Sequence, residues 1–219
     1  MNLIEYIYIM EIILETIIGI GILVFSAILH ELAHGYMADR LGDPTPRLSG
    51  RLTLNPKNHI DPFMSIILPG LLMLSGSPVI FGGAKPVPVD SFNLKDGRKD
   101  IALVALVGPL TNIIIAIAAA GLIKITIISS INHPLLMLVL NKIVDINLIL
   151  GIFNILPIPP LDGSKLFALI MPEEHANYYL AIGRFGTFIL LFLLITPIGG
   201  FLQQIIFNIF LLARSILIP

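Results

Sequence analysis

An apolar run that begins near Ile12 and ends at Arg40 carries His30-Glu31-Leu32-Ala33-His34 inside it. If the run is helical, His30 and His34 stand about one turn apart, so both imidazoles leave the same face and can hold one metal ion. Glu31 sits one residue round the cylinder. From there its carboxylate can reach a water on the metal and act as general base rather than ligand. The plainer alternative is a pair of hydrogen-bonded core histidines. With five His and six Glu in 219 residues, however, a chance HExxH is expected in roughly three of a thousand such chains. An unpaired ionisable cluster within a membrane span is also costly and usually functional.

That argument needs the run to lie in lipid, and composition supplies this. Hydrophobic residues make up 56% of the chain and charged residues 12%, well outside the range of a soluble domain. The chain reads as an integral membrane protein whose partner is the lipid bilayer. A formal net charge of -1 and the lack of any basic run exclude a nucleic-acid partner. With no cysteine, thiolate ligands and disulfides are excluded too, so any zinc must be held by His and carboxylate. No Lys or Arg precedes Arg40 and no small-residue cleavage pattern is visible. The N-terminus therefore reads as a retained span rather than a signal peptide.

Ile17 to Leu29, with its flanks, is long enough to cross a bilayer core of about 30 Å. Arg40, Arg47, Arg51 and Lys57 follow together. By the positive-inside rule they place the N-terminus outside and the segment after HExxH in the cytoplasm. His30, ten residues before Arg40, would lie roughly 15 Å in from that end. Residues 61–83 are apolar but broken at Pro69-Gly70 and Gly76-Ser77-Pro78, with basic flanks on both sides, and read as a re-entrant or membrane-surface hairpin, with a simple transmembrane helix as the alternative. Ile101 to Ile128 runs outward, Asn132-His133-Pro134 turns, and Leu135 to Leu156 returns. In that returning span Asn141, Lys142, Asp145 and Asn147 are unusual polar company, and Lys142 and Asp145 read as an i,i+3 pair that neutralises itself or snorkels. Pro157, Pro159 and Pro160 then unwind the helix.

Two more spans, Asn177 to Ile195 and Phe201 to Leu217, complete the chain, and Arg214 suits a cytoplasmic C-terminus. Short strands are expected at Arg47 to Asn55, where Leu48, Leu52 and Leu54 share one side, and at the proline-extended Lys85 to Val89. The expected fold is therefore an all-α polytopic membrane protein of about five to six membrane segments. It has a three-helix catalytic core, with short membrane-associated β-strands between the first two core helices. A single membrane-embedded domain spans 1–219, with its core at about 17–170 and a C-terminal helical pair at about 177–218.

A catalytic zinc takes three protein ligands and leaves one position for water. The metzincin pattern needs Gly and His where Met37 and Arg40 stand, and no Glu occurs between Glu31 and Glu173. Asp39, Asp43 and Asp61 lie at or beyond the cytoplasmic end of the helix, whereas the metal lies deeper. Asp162 fits best, since it follows a returning span on backbone unwound by prolines. HExxH, Gly108 to Asn112 and Asn154 to Asp162 would then converge at one level.

These residues carry a family resemblance. HELAH on one span, GPLTN on the next and NILPIPPLDG on a later one resemble the site-2 protease family of intramembrane zinc metalloproteases, from about residue 26 to 170. GDPTPRLSGRLTLNPKNHIDP and AKPVPV look like its short branch, without PDZ or CBS domains. The resemblance implies one zinc per chain, bound by His30, His34 and Asp162, with Glu31 as acid/base. It also implies that Asn112 and Asn154 bind substrate backbone or stabilise the oxyanion. The expected activity is hydrolysis of peptide bonds within or beside a transmembrane segment of a membrane-protein substrate, in a multi-pass cell-membrane protein whose active site lies near the cytoplasmic side. The rival is a divalent-metal transporter using the HExxH span as a transit site. Such proteins commonly show a proline within the motif and a His-rich loop, whereas Ala33 stands inside this motif and His59, His133 and His175 are scattered.

Overall fold

Helix α1 (Leu3–Leu41) runs unbroken through the HExxH motif for 39 residues, roughly 58 Å at helical rise. A capping box starts it: Glu5 N–H donates to Asn2 Oδ1 and Asn2 N–H donates to Glu5 Oε2. Gly42 stops it with φ of 113°, where the N–H groups of Gly42 and Asp43 return to the carbonyls of Asp39 and Ala38. This is a Schellman closure, which the absent Cβ permits. The structure is a computed structural model that describes residues 2–67, 70, 71, 74, 83–130 and 133–218.

After α1 come a single turn, α2 (Thr45–Leu48), short 3-10 turns at Pro56–His59 and Ser91–Asn93, and a π-helical turn at Pro62–Ile67. Two long helices follow, α3 (Arg98–Ile128) and α4 (Pro134–Asn154). The C-terminal part comprises α5 (Asp162–Leu169), α6 (Glu173–Ala181), α7 (Gly186–Ile195) and α8 (Pro197–Leu217). Among the described residues, four helices are long and apolar enough to cross a membrane: those at Glu5–Leu41, Arg98–Ile128, Pro134–Asn154 and Gly199–Leu217.

Helix α3 is the hub, packing against α4, α1 and α5. Its buried stripe is built of small residues, Ala102, Ala105, Ala116, Ala119 and Ala120. In lipid, where no hydrophobic force drives helices together, such residues let backbones approach closely. Ala116, Ala119, Ala120 and Ile123 meet Leu140, Val144, Leu148 and Ile152 of α4, and Ile206, Phe210 and Ala213 of α8 cover this cluster. The opposite faces, including Ile17, Ile20 and Phe25 on α1 and Ile114, Ile117 and Ile125 on α3, are exposed apolar surface, as lipid contact requires.

Three expectations change. Neither Arg47 to Asn55 nor Lys85 to Val89 is a strand; among the described residues there is none. Pro46 in the first turn favours helix at Thr45–Leu48, Gly50 turns the chain with φ of 65°, and Pro86 and Pro88 remove two ladder donors. The supposed apolar side does not exist either, since Leu48 and Leu54 are exposed. The segment expected at 177–195 is broken by a 3-10 turn at Ile182–Phe185, beside which Gly186 packs so closely on Pro160 that a Cβ would not fit. Lys142 and Asp145 do not pair with each other. Lys142 meets Glu15 of α1 at 3.1 Å and Asp145 meets Arg214 of α8 at 2.7 Å. Most of the re-entrant hairpin expected at 61–83 lies outside the described residues.

Candidate active site

His30 and His34 leave α1 on the face turned to α3 and are both buried. That close approach depends on Gly108: a Cβ there would drive into the rings of His34 and His30. Asp162 arrives from the other side at the start of α5, just past the prolines that end the helical path of α4. Gly163 beside it allows the backbone to fold onto Ile155 and Leu156, where any Cβ would collide with their carbonyls.

Three side-chain atoms converge. His30 Nε2 and His34 Nε2 are 3.0 Å apart, and each is 3.1 Å from Asp162 Oδ2. The proton positions follow from the other ring nitrogens. His34 Nδ1 is 2.6 Å from the carbonyl oxygen of Val104, which can only accept, so that nitrogen carries the proton. His30 Nδ1 likewise donates to Asn112 Oδ1 at 2.6 Å, because Asn112 Nδ2 is already donating to Asn147 Oδ1 at 2.9 Å. With both rings neutral, the two Nε2 atoms present lone pairs to each other and to a carboxylate oxygen. Such a set of two ring nitrogens and one carboxylate oxygen suits a cation. The spacing suits zinc, since ligand atoms about 2.0–2.1 Å from a tetrahedral ion lie roughly 3.3 Å from one another. His30, His34 and Asp162 form the group that could hold a metal ion among the described residues.

The surroundings orient this group. Asn147 of α4, fully buried, holds Asn112 and in turn donates through Nδ2 to Ser26 Oγ at 2.9 Å. Lys165 Nζ donates to Asp162 Oδ1 at 2.8 Å, leaving Oδ2 for the centre. Such outer partners fix the tautomer and direction of a ligand. Glu31 is adjacent on α1, and its Oε2 accepts a 2.7 Å hydrogen bond from the Val87 N–H.

Of the six residues singled out from the sequence, four meet here: His30, His34, Asp162 and, through His30, Asn112. Glu31 stands beside them, held by Val87. Asn154 is half-buried and its Nδ2 donates within its own helix to Leu150 O at 3.0 Å, making no hydrogen bond to the other five. Ser26, Val104, Asn147 and Val87 were not foreseen as site residues. Only Asn147, as an amide within an apolar span, carried a signal.

The comparisons with known proteins agree with this chemistry. Peptidase family M50 matches residues 119–196. "Putative zinc metalloprotease YwhC" of Bacillus subtilis is 33% identical over 186 residues, covering 82% of this chain and 80% of that protein. The chain belongs to peptidase family M50, the site-2 protease family. "Putative zinc metalloprotease Rip2" of Mycolicibacterium smegmatis is 30% identical over 185 residues, covering 82% of this chain and 69% of the relative. Its namesake in Mycobacterium tuberculosis H37Rv is 32% identical over 173 residues, covering 78% and 62%. No solved structure matches the chain. This M50 protein is accordingly a zinc metalloprotease, and the transporter alternative is set aside.

Proposed function

We propose that this M50 protease cleaves membrane-protein substrates within or beside a transmembrane segment, using His30, His34 and Asp162 as zinc ligands and Glu31 as general base. The observation that carries this reading is the convergence of His30 Nε2, His34 Nε2 and Asp162 Oδ2 beside Glu31 on an apolar helix. A zinc ion bound there supplies Lewis acidity to the scissile carbonyl and lowers the pKa of water.

The remaining work falls to the chain. Glu31 accepts a proton from the attacking water and delivers it to the leaving amine. Val104 O and Asn112 Oδ1 hold the Nδ1 protons of His34 and His30, keeping both Nε2 atoms free. That role occupies both ends of the Asn112 amide. Asn154, with one amide hydrogen uncommitted among the described residues, is then the asparagine left to meet substrate backbone or the developing oxyanion, an effect worth about 3–4 kcal/mol in other hydrolases. The basic residues after α1 support a site toward the cytoplasm with the N-terminus outside. A single membrane-embedded domain over 1–219 accommodates all of it.

The test compares wild type with Glu31→Gln, loaded with zinc, on a single-span membrane substrate that wild type cleaves. Zinc should be retained and cleavage lost. Cleavage that persists would remove Glu31 from its role.

A further inference from the structure

The residues between Gly83 and Asp90 form an extended strap across the active-site helix, fastened at Gly83, Lys85, Pro86, Val87 and Asp90. Lys85 N–H donates to His59 O at 2.8 Å, and Asp90 N–H donates to Asp43 Oδ2 at 2.7 Å. Prolines at 86 and 88 confine Lys85 and Val87 to extended backbone, and the Val87 side chain is buried against Gly35. The strap therefore presents its peptide groups in fixed directions.

One of those groups is singular. The peptide unit between Pro86 and Val87 gives its N–H to Glu31 Oε2 at 2.7 Å, while its carbonyl oxygen accepts from Arg51 Nη2 at 3.1 Å. The same Nη2 donates to Lys85 O at 2.6 Å. A guanidinium thus faces the oxygen end of a peptide dipole and the carboxylate of Glu31 faces its hydrogen end. Arg51 is buried, bonds only these two carbonyls among the described residues, and leaves Nε without a partner. A buried cation with no carboxylate against it is costly, and one of its two carbonyl contacts, to Pro86 O, leads through the peptide group to Glu31.

We infer that Arg51 is a positioning residue for Glu31, acting through the Pro86–Val87 peptide group. Arg51 polarises and immobilises that group, whose N–H fixes the direction of the Glu31 carboxylate beside the metal ligands. This inference rests on the reading of Glu31 as general base. It adds a distant residue, on a loop that carries no ligand, to the machinery that aims the base.

Kinetics of zinc-loaded full-length protein on a single-span substrate cleaved by wild type test it. Arg51→Gln should lower kcat about 10- to 100-fold, the range for a misplaced catalytic group, with KM within about twofold and zinc content unchanged. Arg51→Lys, which keeps a cation and a donor, should recover part of the loss. In a Glu31→Asp background, where the shorter carboxylate no longer reaches Val87, Arg51→Gln should cost less than about threefold, because residues acting as a unit are not additive. Three results overturn the inference: a wild-type kcat in Arg51→Gln, loss of zinc together with activity, or an equally large loss in the Glu31→Asp background. Retained cleavage in Glu31→Gln fails the general-base reading instead, so the two failures are distinguishable.

Discussion

Asn112 of α3 and Asn147 of α4 face each other fully buried, with Asn112 Nδ2 donating to Asn147 Oδ1 at 2.9 Å. The bond fixes which way round the Asn112 amide sits, and that decides that Oδ1 accepts from His30. A chain of side chains, Ser26 to Asn147 to Asn112 to His30, therefore runs through three helices to His30 Nδ1, the ring nitrogen opposite the one that faces His34 and Asp162. Removing such an outer partner typically costs 10- to 100-fold in metal affinity. Asn112→Ala should fall in that range, and Asn147→Ala should cost about tenfold. Zinc competition against a chelator measures both, and unchanged affinity in Asn147→Ala would deny the relay.

Gly108 and Gly121 lie on the same helix, but only the first is pressed against the histidines. A Cβ at 108 enters the rings of His34 and His30, whereas one at 121 meets nothing within 4 Å. Gly108→Ala should therefore lose zinc and activity, with an overpacking cost of about 1–3 kcal/mol. Gly121→Ala should leave both intact and serves as the control. Metal analysis with thermal unfolding of the two variants gives the comparison.

Asp43 closes the turn after α1 and ties it to the far end of the strap. Burial pushes its carboxyl up, but hydrogen bonds from the Thr45 hydroxyl, the Asn93 amide and the backbone N–H groups of Thr45 and Asp90 outweigh this and hold it below the ordinary value of 3.8. A carboxylate depressed in the folded state contributes stability above its unfolded pKa and loses it as pH falls through the folded one. Unfolding below about pH 4 should thus include a component that Asp43→Asn lacks. Denaturation of both proteins between pH 3 and 7 reads it; parallel acid limbs would show that Asp43 contributes none.

How far the sequence led can be argued from these residues. That His30, His34 and Asp162 come together was legible because a metal-binding reading admits few residue types and helical spacing puts His30 and His34 on one face. Asn147 was only a polar oddity, since its partners Asn112 and Ser26 sit on other helices and no local period points to them. The same blindness made Lys142 and Asp145 look like one pair, because i,i+3 spacing is visible in sequence and Glu15 and Arg214 are not. The strands failed for a local reason: two prolines before Leu48, a left-handed glycine at 50 and two more prolines in the strap outweigh a short leucine alternation. Arg51 looked like a topology-setting charge, and only its placement against the Pro86 carbonyl gives it another use.

The ion pair between Glu15 and Lys142 spans α1 and α4, lining a cavity of about 490 Å³ with Thr16, Gly19 and Asp145. Both side chains are partly exposed, so the pair itself contributes little. Breaking it from one side, however, leaves a single charge on a helix in lipid, which is costly. Lys142→Met should therefore destabilise the protein more than the double variant Glu15→Gln/Lys142→Met, by on the order of 1 kcal/mol. The His30 centre lies about four turns further along α1 than Glu15, so zinc affinity should be the same in both variants. Unfolding in detergent with parallel zinc titration measures the two effects. Equal stability of the single and double variants would show that the pair is not coupled.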